Sequence, residues 1–295
     1  MTDSRKRSLA QVALAALALV WGTQFLVIKV GQATVPPLLT VALRFAVVAA
    51  ASQGVVWIGR FRAPRGALAA RALFGVAQAF SMAALYWSEG HLPSALAAIL
   101  VATEPFFVAV LAHRFVAGER LDARAVVALA LGFAGVALIA VDGRSQAASA
   151  QLEVIAVVAV LAGSVAGAGN KIIGKRLALS MPAPVVMRDM GVAVAACAAA
   201  ASLALERDCP VLFTREAVLA IAYLGLVAST GASTVYFVLL RRFSVTGLAY
   251  LQFVTSLVAI ATGVLLGGER LGPTVSAGAA CVLAGLVVRA RRARA

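Results

Sequence analysis

Glu104, followed at once by Pro105, stands about nine residues inside a long apolar run. An ionisable group at that depth is costly in lipid, so its retention points to function. The proline removes a backbone donor, frees a carbonyl and can kink the helix. Three roles fit the carboxylate: proton coupling, a partner for a substrate ammonium, or a hydrogen-bonded brace for the kink. Uncharged polar residues lie near the middle of other apolar runs: Gln24, Gln78, Ser81, Asn170, Ser229, Thr230, Ser233 and Thr255. They could bond a zwitterion without a fixed charge, and Gln78 and Ser81, three apart, share one helix face. The same residue types also tie neighbouring helices together in membranes.

The aromatic set is Trp21, Tyr86, Trp87, Tyr236 and Tyr250. Tyr86, Trp87 and Tyr236 fall at expected helix ends, where an interfacial belt explains them. As a functional alternative, the tyrosines gate opposite mouths of one cavity and stack on substrate, with Trp21 and Tyr250 deeper inside. Arg44 could attract a substrate carboxylate at the outer mouth, snorkel to headgroups, or pair within the bundle. Lys29 and Lys171 read as snorkelling anchors, and Arg188 with Asp189 as residues serving the interface near a helix end.

What positions these groups is a repeat. Ser94 to Leu121 recurs 150 positions later without a gap: Ser244 falls on Ser94, Val258-Ala259 on Val108-Ala109, and Gly268-Glu269-Arg270-Leu271 on Gly118-Glu119-Arg120-Leu121. The register also places Gly225 over Gly75 and Tyr236 over Tyr86. Two copies of one unit imply a duplicated architecture with a site between the halves, at residues 1–145 and 146–295.

The solvent of this fold is lipid. The chain has 295 residues, 62% of them hydrophobic, and a mean hydropathy of +0.97, above the roughly half-apolar content of soluble domains. With a ruler of about 20 residues per span, ten spans emerge: Leu9–Val30, Leu38–Ile58, Ala67–Trp87, Ala95–Phe115, Ala125–Val141, Val154–Ile173, Pro184–Leu205, Ala217–Leu239, Thr246–Leu266 and Thr274–Val288. The basic start Arg5-Lys6-Arg7 resembles a secretory signal, but the apolar run that follows continues to Val30 and reads as the first span. Of the 26 basic residues, eighteen fall on the side of the termini and four on the other, which places both termini in the cytoplasm. Five spans per half is an odd number, so the second copy enters the membrane from the opposite face. The predicted fold is all-α and polytopic, with ten transmembrane helices in two inverted five-helix repeats. Such a geometry allows alternating access to a central site.

Several function classes are disfavoured, an intramembrane lipid enzyme standing as the alternative from another class. The net charge of +14 is distributed between apolar runs and suits topology, not a nucleic-acid face. Cys197, Cys209 and Cys281 form no cluster with His91 or His113, so no metal site is expected. Gly163, Gly167 and Gly169 allow close helix approach; without a Gly-Lys-Ser they are no phosphate loop. An intramembrane lipid enzyme would need converging nucleophile, base or metal ligands, and His91 and His113 lie near opposite faces.

Trp21-Gly22-Thr23-Gln24-Phe25, Arg44-Phe45, Glu104-Pro105 and the twin Gly-Glu-Arg-Leu turns resemble the EamA family of the drug/metabolite transporter superfamily. The likeness covers essentially the whole chain and extends to the YddG-type aromatic amino-acid exporters. It implies ten helices in two inverted halves, no cofactor, no enzyme activity, and outward movement of small metabolites, often amino acids, across the bacterial inner membrane. The second half carries Gly163-Ser164 and Val254-Thr255 where the first has Trp21-Gly22 and Glu104-Pro105, so any site between the halves is asymmetric. The expectation is a secondary transporter that exports amino acids, aromatic ones included. The expected substrate-binding set is Trp21, Gln24, Gln78, Ser81, Tyr86, Glu104, Asn170, Ser229, Ser233, Tyr236, Tyr250 and Thr255. Partners are a small molecule and the bilayer; no protein or nucleic acid is implied. The alternative cargoes are other small metabolites, nucleosides or drugs.

Overall fold

The computed structural model describes residues 3–62, 66, 68–116, 126–127, 130–132, 134–135, 138, 150–249, 251–268 and 272–290, and among these every regular element is a helix. The first half carries α1 (Asp3–Gln32), α2 (Pro37–Ile58), α3 (Leu68–Glu89), α4 (Ser94–Val101) and α5 (Glu104–Phe115). The second carries α6 (Ala150–Ser180), α7 (Ala183–Leu205), α8 (Arg215–Ala222), a π-helical segment (Tyr223–Gly231), α9 (Ala232–Leu240), α10 (Val245–Ala249), α11 (Leu251–Leu265) and α12 (Pro273–Ala290).

Seven helical stretches among the described residues are long and apolar enough to cross a bilayer, against ten predicted. Ser94–Phe115, made of α4 and α5, counts as one, and Arg215–Leu240, which contains the π segment, as another. The difference has two sources. The 15 residues of α11 extend about 22 Å, short of a hydrocarbon core of roughly 30 Å, and the apolar part of α12 is also short. The expected span Ala125–Val141 lies largely outside the described residues, as do Gly118–Leu121 and Glu269–Leu271.

Proline sets several helix starts, because its fixed φ and missing donor suit the first turn. It opens α2, α5 and α7. No side chain of its own caps α2; Glu206, just past the end of α7, accepts from the amides of Leu38 at 2.8 Å and Leu39 at 3.0 Å. Ser202 holds the same carboxylate at 2.9 Å. The negative charge thus satisfies two orphan donors and meets the positive end of the α2 dipole. Further along, a Cβ on Gly191 would lie 2.8 Å from the Ala49 amide nitrogen, so glycine is what lets α2 and α7 cross closely.

Two glycines 150 positions apart sit at close helix contacts. A side chain on Gly75 in α3 would run into Ala193 of α7, and one on Gly225 in the π segment would meet Val47 of α2 at 2.7 Å. Gly75 thus lets α3 approach α7, and Gly225 lets the π segment approach α2. The core includes Phe25, Ile28, Phe45, Tyr86, Leu100, Met187, Leu224 and Leu240, all buried. Trp57, Phe80, Val158, Leu203 and Leu226 face outward, as the outer surface of a bundle in lipid does.

At the end of the bundle where α1 begins, helix ends are cross-tied. Arg241 donates to the carbonyls of Ala178 and Met181, at 2.5 and 2.8 Å, and Lys175 donates to those of Leu240 and Phe243. Cations at helix C-termini satisfy the last carbonyls. Arg71 of α3 meets Asp189 of α7 at 2.5 Å, and Arg188 shares that carboxylate at 2.7 Å, which gives the expected pair a definite partner.

Candidate functional site

The helices line a cavity of about 190 Å³ whose wall takes residues from both the first and the second half of the chain. An apolar void of about 150 Å³ accepts a benzene ring, so the space suits a small metabolite. Its wall is built from α1, α2, α3, α6, α7, the π segment and α9, with Val101 and Glu104 at the α4–α5 junction and Gln252 of α11.

Arg44 enters from α2 and is only 4% exposed. Its Nε donates to Ser229 Oγ at 2.8 Å, Nη1 to Tyr86 Oη at 2.8 Å and Nη2 to Gln24 Oε1 at 3.1 Å. The guanidinium also lies 5.4 Å from the Phe45 ring centre and 5.8 Å from that of Tyr86. All these partners are neutral. They fix the plane of the group, no carboxylate pairs with it directly among the described residues, and three bonds leave part of its set of five donors open. Such a site attracts a carboxylate.

Glu104 is the second charged feature. α4 gives way to α5 at Ala102–Thr103, where the Thr103 hydroxyl donates back to the Leu100 carbonyl at 2.7 Å. The helix is thus locally tightened at Ala102–Thr103, both still right-handed, with Glu104 on the turn that follows. Its Oε2 lies 2.8 Å from Lys171 Nζ. A Cβ on Gly167 would sit 2.5 Å from Oε1 and 3.4 Å from Ser81 Oγ. Gly167 thus makes room for the carboxylate.

Aromatic and polar groups join the two. Trp21 packs on Tyr236 with ring centres 5.3 Å apart, and Phe237 stands edge-on to Phe74. Trp21 Nε1 donates to the Ala228 carbonyl at 2.9 Å, and Thr23 bonds Tyr223 at 3.0 Å, so α1 is stitched to the π segment. The wide π coil changes which carbonyls are taken up internally, and such segments concentrate at functional sites. Asn170 donates to Gln78 at 2.9 Å. Tyr236 Oη, Asn170 Oδ1 and Ser164 Oγ are buried with no partner among the described residues, an uncommon state for polar atoms in a folded protein.

Of the twelve residues expected from sequence, nine line this cavity: Trp21, Gln24, Gln78, Ser81, Glu104, Asn170, Ser229, Ser233 and Tyr236. Tyr86 is outside the lining, fully buried behind Arg44, and forms no interfacial belt. Thr255 is buried and bonds the Leu251 carbonyl of its own helix at 3.0 Å. Tyr250 lies outside the described residues. Lys171, read as an anchor, instead faces the cavity as the partner of Glu104. The sequence held one signal for it: Gly167, Lys171 and Gly174 recur at helical spacing and share a face.

Residues 8–141 match the EamA-like transporter family. The chain is 27% identical over 282 residues to a probable amino-acid metabolite efflux pump of Escherichia coli (strain K12), covering 92% of this chain and 91% of that protein. An uncharacterized inner membrane transporter, YedA, of the same organism is 26% identical over 268 residues, covering 88% and 83%. A solved crystal structure aligns over 97% of this chain and 98% of its own with a TM-score of 0.71 at 23% identity, a likeness of fold alone.

Proposed function

We propose that this chain, a membrane transporter with an EamA-family domain, exports amino acids, aromatic ones included, from the bacterial cytoplasm. The observation that carries the reading is Arg44, buried and oriented by three neutral hydrogen bonds, at one side of a cavity that also holds a carboxylate and paired aromatic rings. A zwitterion with a bulky side chain fits each feature: its carboxylate meets Arg44, its ammonium meets Glu104, and its ring meets Trp21 and Tyr236. A cationic drug would meet the positive charge of Arg44, which no carboxylate pairs directly among the described residues. The relative named as an amino-acid metabolite efflux pump supports the same class of cargo.

In this reading the chain is two inverted five-helix repeats, residues 1–145 and 146–295, with ten spans and both termini in the cytoplasm. The 150-residue register, the reciprocal seating of Gly75 and Gly225 and the bias of basic residues support it. The substrate set is the nine cavity residues together with Arg44. Tyr86 and Ser229 hold Arg44 in place, and the halves expose the cavity to each side in turn.

The test is flux of labelled tryptophan, threonine and lysine by purified protein in sealed liposomes, with and without a pH gradient. Selective flux is expected, greatest for the neutral, bulky substrate. No flux of any amino acid, with nucleoside flux in its place, would overturn the cargo.

A further inference from the structure

Among the described residues, Lys171 and Glu104 form the one ion pair in the cavity lining. Their side chains are 18% and 11% exposed, so the pair borders the cavity space without being sealed in packing. A lysine ammonium is a compact cation with three donors and no acceptor. The α-ammonium of an amino acid has the same charge, size and donor count. Gly167, one turn before Lys171 on the same face of α6, leaves the space that the Glu104 carboxylate occupies between the two helices.

Resting on the amino-acid reading, we infer that Lys171 is a tethered stand-in for the cargo's ammonium: it occupies Glu104 in the unloaded carrier and is displaced when cargo binds. The cargo carboxylate then meets Arg44 while its ammonium takes the position of Lys171 Nζ. The exchange conserves the net charge of the lining, and the displaced Lys171 ammonium, whose side chain is 18% exposed, turns to the cavity space. Arg44, Glu104 and Lys171 sum to +1 within the lining, and a zwitterion adds nothing, so loading moves no net charge into a medium of low dielectric. Without Lys171 the empty carrier would have to hold Glu104 unpaired at membrane depth, which is strongly unfavourable. The exchange also sets specificity. A carboxylic acid that lacks an ammonium can reach Arg44 but cannot release Lys171 from Glu104.

The experiment uses the purified full chain and propylammonium chloride as probe, read by thermal unfolding in detergent. Propylammonium should raise the midpoint of Lys171→Ala by filling the exposed position. It should leave the wild type, where Lys171 occupies the site, and Lys171→Ala/Glu104→Gln, where the anion is gone, unchanged. A folded Lys171→Ala that shows no such rise overturns the inference; should that variant not fold, Lys171→Gln keeps the chain length and serves the same comparison. In binding assays Lys171→Ala should hold an amino acid about tenfold more tightly than the wild type, as expected for loss of one charge-assisted competitor. Glu104→Gln should bind the amino acid and its des-amino analogue equally. Equal ratios in the wild type and Glu104→Gln would also overturn it. Failure of the cargo reading shows differently: a propylammonium rise with no amino-acid flux keeps the ammonium site and rejects the cargo.

Discussion

Arg44 and Lys171 reach one cavity from different halves of the chain, and their charges are held by different chemistry. Arg44 is fixed by a hydroxyl, a phenol and an amide, whereas Lys171 is held by a carboxylate at 2.8 Å. Neutral partners orient a cation and leave its field intact; a counter-ion cancels it. An anion can therefore join Arg44 without displacing a charged partner, while a cation reaches Glu104 only by exchange. On the proposed reading, one cavity would offer a standing anion site and a competitive cation site, the combination that recognition of a zwitterion in one orientation requires.

The comparison breaks most visibly at Arg44. Arg44→Lys keeps the charge but replaces a planar fork by a point charge, so the frame of Ser229, Tyr86 and Gln24 can no longer align it. Flux at low substrate should fall about 100-fold, as for loss of two or more charge-assisted bonds. Initial rates in liposomes, with folding checked by size-exclusion, measure it; near-native flux would show that charge alone suffices. Next comes Gly167→Ala. Its Cβ would lie 2.5 Å from Glu104 Oε1, and overpacking of this kind costs about 1–3 kcal/mol. The carboxylate should be pushed off Lys171, lowering flux of an amino acid about tenfold and that of its des-amino analogue less. An equal loss for both would mean that the wall has moved as a whole.

Much of this arrangement is readable from residue order, and the rest is hidden for definite reasons. Long apolar runs with few charges announce helices in lipid, and Glu104-Pro105 announces a local irregularity inside one. Helix length deceived the reading at Lys171. An end at Ile173 leaves the lysine two residues from the interface, where snorkelling is ordinary. In fact α6 runs to Ser180, which places Lys171 more than two turns inside the helix. Tyr86 misleads in the opposite way: its position near a helix end is as expected, but the side chain turns inward to Arg44. Rotation about the helix axis is set by packing partners, and sequence spacing alone does not supply it. The π segment at Tyr223–Gly231 is silent too, since no residue type marks the extra residue per turn.

Smaller substitutions sharpen the contrast between groups that face the cavity and groups that only stand near it. Ser229→Ala removes one of the three bonds that hold Arg44, at 2.8 Å. A single hydrogen bond of this kind is worth about 1 kcal/mol, so apparent affinity should weaken roughly fivefold with maximal rate unchanged. No change in affinity would mean that Tyr86 and Gln24 orient the guanidinium unaided. The smallest effect is expected at Thr255. This residue is as buried as Ser229 and was just as eligible from its sequence position, but its hydroxyl bonds the Leu251 carbonyl of its own helix and lies outside the cavity. Thr255→Val, which keeps the shape and removes the hydroxyl, should leave flux and selectivity within about twofold of the wild type, because a back-bond to the preceding turn is slightly unfavourable to the helix and its loss is easily absorbed. A large change in selectivity would show that the hydroxyl turns toward cargo when the halves rearrange, and that the substrate wall in the other state includes Thr255 as well as Gln252 of α11.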